Sequence, residues 1–373
     1  MSILETIAPK RMGSGFRWLL GSTWVSNAGD GLALAAGPLL VASETRSPML
    51  VALAALLQQL PWLLFGLYAG VLADRLNRRA LVIAMDLARV GLVGLLCLSI
   101  ATGWVSIGVV LVALFLIGTA EVFADSATGP LMPMLVGKAD LGIGTARMEA
   151  GYLTMNQMIG PPIGAALFAA GMAWPFALQV VCGLAAVVLI SRIRLPAAKG
   201  ERKPIHVRRD IADGLRWTWG NGPVRTLTLA LLTFNVMLGL GMSILVLYAT
   251  ERLGLGPVGF GLMMTSMAVG GILGTTGYGI FERRLGVLRI LRWGLVLETM
   301  CHLGFALTTW EWVAFSLMFV MGVHSFVWST TSKSVRMRAV PTEFQGRVGS
   351  LYVVSALGTM ALGQLAGGVI ASH

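Results

Sequence analysis

Eleven apolar stretches, each long enough to cross a lipid bilayer, follow one another along this chain of 373 residues. A membrane-spanning helix needs roughly 20 such residues. In hydrocarbon every backbone amide has to find its partner within the segment, so each stretch predicts a helix. The spans are read at 17–42, 49–73, 80–101, 104–127, 146–170, 174–191, 224–250, 258–280, 288–308, 312–332 and 348–371. Charged residues make up only 12%, against roughly 25% in soluble domains. A soluble α/β enzyme, a secreted disulfide scaffold and a disordered chain are excluded together. Cys97, Cys182 and Cys301 all fall inside apolar stretches; an odd number there gives no disulfide framework or metal-ligand spacing and reads as structural filler. The glycines, Pro9, Lys10 and Arg11 before a long first stretch do not resemble a cleavable signal peptide.

The basic residues set the orientation. If the N-terminus lies inside, 25 of the 28 Lys and Arg fall in inner segments, Arg46 and Arg252 fall outside, and Arg89 lies within a span. Such a split predicts a cytoplasmic N-terminus by the positive-inside rule. The formal net charge of +11 is then membrane topology and implies no nucleic-acid partner. Residues 192–223 alone have a soluble composition and read as a cytoplasmic linker between an N-terminal bundle, 1–191, and a C-terminal bundle, 224–373. Within the linker, 207–219 has the pattern of a surface amphipathic helix with Ile211, Leu215, Trp217 and Trp219 toward lipid; a plain solvated linker is an equal alternative.

Sliding the sequence along itself by 208 residues superposes the two bundles. Asn27 falls on Asn235, Gly31 on Gly239, Gly66 on Gly274, Arg75 on Arg283, Trp104 on Trp312 and Pro133 on Pro341. Parallel repeats of this kind are a transporter architecture with the substrate site near mid-bilayer. The offset also implies a missing partner. The counterpart of 174–191 falls near 382–399, so the reading predicts five helices after the linker, no twelfth helix, and a C-terminus outside.

The loop after the second span reads Gly70-Val-Leu-Ala-Asp74-Arg75-Leu-Asn77-Arg78-Arg79. It resembles the Gly-x-Leu-Ala-Asp-Arg-x-Gly-Arg-Arg signature of the major facilitator superfamily, with Asn77 in place of Gly, a residue that tolerates left-handed backbone better than most. In the fifth span, Gly160-Pro161-Pro162-Ile-Gly164-Ala is similar to an element of that superfamily's exporters; proline there predicts a kink. Asn27-Ala-Gly29-Asp30-Gly31, Glu121-Val-Phe-Ala-Asp125 and Pro341-x-Glu343-x-x-Gly346-Arg347 look like the drug:proton antiporter branch that includes enterobactin and macrolide exporters. The resemblance implies an all-α membrane protein of two six-helix bundles, efflux by alternating access, and a role for Asp74 as a latch that engages the other bundle, with Arg75, Arg78 and Arg79 as facing cations.

Ionisable residues inside a membrane are functional candidates by default. Asp30 lies mid-span with no cation near it in sequence. Glu121 and Asp125 are one turn apart on one helix face. Glu298 stands alone in the second half with His302 one turn on, and His324 reads as a packing residue. These four carboxylates are the candidates for proton coupling or substrate contact. Asp86 and Arg89, three apart, are expected to neutralise one another. The reading is therefore a proton-coupled exporter of small hydrophobic or amphipathic molecules, monomeric, in the cell's inner membrane, with no cofactor, metal or catalytic residue. A facilitator or importer of the same fold and a truncated, non-transporting remnant stay open beside it.

Overall fold

The computed structural model describes residues 10–137, 140–194, 207–340 and 345–371. Every regular element among them is helical: α1 Gly13–Glu44, α2 Pro48–Arg75, α3 Arg78–Ala101, α4 Ile107–Thr128, α5 Leu141–Gly151, α6 Gly160–Ala170, α7 Trp174–Ser191, α8 Val207–Gly220, α9 Gly222–Ser243, α10 Pro257–Leu285, α11 Val287–Leu307, α12 Glu311–Ala339 and α13 Gln345–Ala371, with shorter turns between. Nine of the helices described are long and apolar enough to cross a membrane. The two other expected spans are helical as well. Residues 146–170 run through α5, a π-helical stretch Tyr152–Ile159 and α6, and 348–371 lie in α13. Trp104 and Trp312, superposed by the repeat, stand 82% and 74% exposed just ahead of α4 and at the start of α12, where amphipathic rings suit a membrane interface.

The chain divides into two compact units, one of residues 1–46 and 57–202, the other of 47–56 and 203–373. Of the expected linker, 195–206 lies outside the described residues. The amphipathic pattern at 207–219 forms α8. Leu215 and Trp219 face outward, but Trp217 packs on Val224, Val340 and Val348. Not every aromatic of that helix is turned to lipid, because the unit's own core takes one of them. Residues 138–139 and 341–344, with Pro341 and Glu343 among them, are also outside the described residues.

Glycine sets how closely the helices cross. In the first unit a Cβ on Gly31 of α1 would lie 2.7 Å from the Met155 carbonyl oxygen, and a Cβ on Gly164 would lie 2.2 Å from the Leu32 oxygen. In the second unit a Cβ on Gly239 of α9 would lie 2.3 Å from the Met360 oxygen, and one on Gly363 of α13 would lie 2.0 Å from the Val236 oxygen. Small residues that let backbones touch are the usual device for joining helices in lipid. Gly31 and Gly239 stand at the repeat offset, so a backbone crossing at the same place on α1 and α9 recurs within each unit. Gly160 also faces the Gly31 backbone, so the Gly160–Gly164 element and Gly31–Leu32 are two sides of one contact, while Gly29 faces Cys182 and Gln179 of α7.

Two local expectations differ in the structure. Asn77 is extended, with φ −68° and ψ 106°, and its side chain accepts a hydrogen bond from the Ala80 amide as the N-cap of α3. The turn therefore needs no left-handed residue; Asn is there as a cap. Its counterpart between α10 and α11 does use a left-handed glycine, Gly286 at φ 73°. The prolines of the fifth span sit in the first turn of α6, where a missing N–H costs little. The irregularity lies upstream, in the wider π turns that end at Ile159 and displace carbonyls that the proline rings would otherwise strike.

Replacing Gly164 by valine should break the α1–α6 crossing. Overpacking costs about 1–3 kcal/mol where side chains can yield, and here the obstacle is backbone. The variant should melt at a clearly lower temperature or fail to give monodisperse protein in size-exclusion chromatography. Gly37→Ala, facing open space within the same α1, should melt as the parent does.

Candidate functional site

Asp30, Asp86, Arg89, Glu121 and Asp125 come from three helices, α1, α3 and α4, and all line one cavity of about 290 Å³ in the first unit. Its wall is completed from the fifth span by Glu149, Tyr152 and Asn156. The small residues of α1 allow this: Ser22, Ser26 and Asn27 are on the same wall, and Ser22 ties α1 to α7 by donating to the Ala186 carbonyl at 2.9 Å. Trp24 fixes the other side, donating its indole N–H to the Arg147 carbonyl at 3.0 Å over Gly151, which has no side chain to obstruct the ring.

Arg89 is the hub. One guanidinium nitrogen donates to both oxygens of Asp30, at 3.0 and 3.1 Å, and the other donates to the Ser26 hydroxyl at 2.7 Å. That second nitrogen also lies 3.3 Å from Asp86 Oδ1. The expected Asp86–Arg89 pair therefore exists but is not closed, since Arg89 is shared with Asp30, 59 residues away. Arg89 and Asp86 are buried at 7% and 6% exposure, while the Asp30 side chain is 23% exposed toward the cavity. A planar fork is suited to bridging two carboxylates in this way. Ser26 and Gln179 add longer contacts to Asp30, at 3.4 and 3.5 Å.

Glu121 and Asp125 share the cavity with this group but form no ion pair or hydrogen bond among the described residues; Asp125 is exposed and Glu121 half-buried. With Asp30, Asp86 and Glu149 that makes five carboxylates on a wall that carries one guanidinium.

Glu298 is placed elsewhere, buried in the second unit on α11. It is not alone: His324 of α12 approaches Glu298 Oε2 to 2.5 Å through Nε2, and His302 Nδ1 lies 3.5 Å from Oε1. The expectation of His324 as a packing residue misses this contact, because a separation of 26 residues carries no helical signal and the visible cue is a histidine in an apolar helix. A second cavity, of about 280 Å³, lies in this unit, with Leu238, Met242, Phe305, Met318 and Met321 on its wall and His302 among them.

The loop residues are engaged close to home. Arg78 donates through Nε to the Ala73 carbonyl at 3.2 Å, and Arg79 donates to the carbonyl of Ser191 at the end of α7. Both cations thus sit on carbonyls of the last turn of a helix, where positive charge is favoured. Gly70 faces open space. Asp74 and Arg75 end α2, and their side chains lie outside the described residues.

Over residues 5–373 the sequence matches the family described as transmembrane secretion effector. It is 26% identical to the multidrug efflux pump Tap of Mycolicibacterium fortuitum, across 93% of this chain and 88% of that protein. It is also 26% identical to the enterobactin exporter EntS of Shigella boydii, across 74% of this chain and 66% of that one. The fold resembles the crystal structure of a mutant of the nucleoside transporter NupG, with a TM-score of 0.79 over 96% of this chain and 91% of that chain, at 10% identity. Membrane-spanning helices, a repeat with matched glycine crossings, charged residues gathered inside the bilayer and a family match along almost the whole sequence agree: the chain is a multi-pass membrane protein of the transmembrane secretion effector family, within the major facilitator superfamily.

Proposed function

We propose that the protein exports small hydrophobic or amphipathic molecules in exchange for protons, by alternating access. The observation that carries this reading is the cavity where Asp30, Asp86, Glu121 and Asp125 surround Arg89. A group of acids with one cation can hold a proton in one state and release it in another. A single charge moved through 100 mV is worth about 2.3 kcal/mol, enough to bias a balanced equilibrium between two access states. The apolar cavity of the second unit, lined by methionine, leucine and aromatic side chains, supplies the adaptable surface that promiscuous recognition uses. Relatives named as efflux pump and enterobactin exporter favour export over uptake. In this reading the protein works as a monomer in the inner membrane, with its N-terminus cytoplasmic and the end of α13 outside. Asp74 acts as the latch in the loop after α2.

The test is ethidium efflux from cells lacking their own pumps, with and without an uncoupler. Expression should lower accumulation, and the uncoupler should abolish the difference; a difference that survives the uncoupler excludes proton coupling. Asp30→Asn should reduce efflux at least tenfold, and Asp74→Asn should abolish it while both variants reach the membrane at normal levels. Full-rate pumping by Asp30→Asn clears that residue of coupling.

Arg89→Gln should act on stability as well. It leaves buried Asp86 and its neighbour Asp30 without their cation, and breaking a buried pair from one side costs about 3–5 kcal/mol. The melting temperature of the purified variant should fall, and adding Asp86→Asn should restore part of the loss.

A further inference from the structure

The cavity of the second unit is long, narrow and positively charged at one end. Along α9 and the π-helical turns Tyr248–Arg252 that follow it, the wall runs from Leu238 to Arg252. At about 1.5 Å per helical residue this is a length of roughly 20 Å. One leaflet of bilayer hydrocarbon is roughly 15 Å deep, so the cavity is as long as a lipid chain. Its volume is about 280 Å³, at the low end for a ligand site. A space of that length and volume has room for one chain, not two. The side chains of Leu238, Met242, Leu245, Phe305, Met318 and Met321 line it and ask nothing of an occupant but apolar contact. Methionine adapts its shape to whatever lies against it.

The polar groups on the wall are engaged, with one exception. His302 is held by backbone, its ring nitrogens 3.0 and 3.3 Å from the Glu298 and Met237 carbonyls. The Tyr248 hydroxyl donates to the Thr308 carbonyl at 3.4 Å. Arg252 donates through Nε to the Thr308 carbonyl and through Nη2 to that of Ala306. Its third nitrogen, Nη1, makes no hydrogen bond among the described residues, and the side chain is exposed. Of the carboxylates nearby, Glu298 engages His324, while Glu251 and Glu311 are exposed; none of them lines the cavity. The depth of Arg252 is marked by its partner. Just beyond Thr308, Trp310 and Trp312 stand 73% and 74% exposed, as tryptophans at headgroup level do. Met237, Leu303 and Leu307, beside the wall residues on α9 and α11, are also exposed, so the cavity is flanked by apolar surface that lipid can cover.

We propose that this cavity holds one acyl chain of an anionic phospholipid from the surrounding bilayer, with the lipid phosphate on Arg252. The chain fills a wall that offers no hydrogen bonds, and the phosphate accepts from the guanidinium nitrogen that has no protein partner. A zwitterionic headgroup brings an ammonium as well, and the wall has no carboxylate to receive it. An uncharged apolar molecule would fit the space but leave Arg252 unmatched. Any apolar cargo that enters here does so by displacing the chain; that step alone rests on the export function proposed above.

The test is native mass spectrometry of the full-length protein, delipidated in detergent and titrated with phosphatidylglycerol, with phosphatidylcholine of the same chains, or with oleate. Phosphatidylglycerol should bind roughly fivefold more tightly than phosphatidylcholine, the order expected for one basic residue at a membrane surface. Arg252→Gln should erase that difference. Gly241→Leu should abolish saturable binding of both lipids: Gly241 lies on the wall, and a Cβ there comes no closer than 3.5 Å to the His302 ring, so the added side chain has the cavity to enter. A phosphatidylglycerol with a diazirine in its acyl chain, photolysed with the parent protein in nanodiscs, should label Met318 and Met321. These residues are buried from the annular lipid, and this reading needs no variant to fold. Equal affinity for the two phospholipids, or selectivity kept by a folded Arg252→Gln, overturns the proposal. So does tighter binding of oleate than of phosphatidylglycerol, which makes the ligand a free fatty acid. Label spread over the lipid-facing helices without enrichment at Met318 and Met321, or a dimer that excludes the label, overturns it as well. None of these readings depends on efflux, so failure of the export function and failure of this site are told apart.

Discussion

A guanidinium inside an apolar helix bundle must be matched by negative charge within reach, and Arg89 is matched twice, by Asp30 from α1 and Asp86 from its own helix. The positions of α1 and α3 follow from this sharing. Ser26 completes the fork at 2.7 Å, so three of the group's oxygen partners belong to one face of α1. That face can be so polar because the opposite crossing, at Gly31, is made of backbone alone. Charge compensation and glycine contact are therefore parts of one arrangement: the helix that carries the acid is held from behind by an interface that needs no side chains.

Much of this was legible from the sequence, and the limits have physical causes. Hydropathy reports the solvent of a segment directly, so the spans were visible. The repeat offset brought Gly31 onto Gly239, and both prove to be backbone crossings. Pairs read by helical spacing were partly right: Asp86 does lie 3.3 Å from Arg89, but nothing in a spacing of three reveals a stronger partner 59 residues away. Asn77 misled because its tolerance of left-handed backbone and its aptitude as an N-cap are properties of the same side chain, and only the dihedral angles separate them. The prolines of the fifth span announced an irregularity but not its place, since their effect is felt by the carbonyls of the preceding turn.

The two units share a scaffold and differ in chemistry. Moving 208 residues from Asp30 reaches Leu238, and both line the cavity of their own unit. The same step takes Asp86 to Gly294, Arg89 to Leu297 and Glu121 to Ser329, while Glu298 and His302 correspond to Val90 and Gly94. Glycine crossings tolerate little change because a Cβ would strike backbone. Cavity walls can change, and here one became acidic and the other apolar with a Glu–His group set behind it. The repeated crossing sets the geometry in both units, and the cavity linings differ, one acidic and one apolar.

The π-helical stretch Tyr152–Ile159 has a bearing on register. A π turn accommodates an additional residue relative to the regular helix on either side, and each α-helical residue corresponds to about 100° of rotation. Upstream of it and at its first residue, Glu149 and Tyr152 look into the acidic cavity; downstream, Gly160 and Gly164 press on α1. In an uninterrupted α-helix those two sets would be turned by roughly that angle, and one of them would miss its target. The widened turns thus act as a phase shifter in the span, letting a single helix address a cavity on one stretch and a neighbouring backbone on the next.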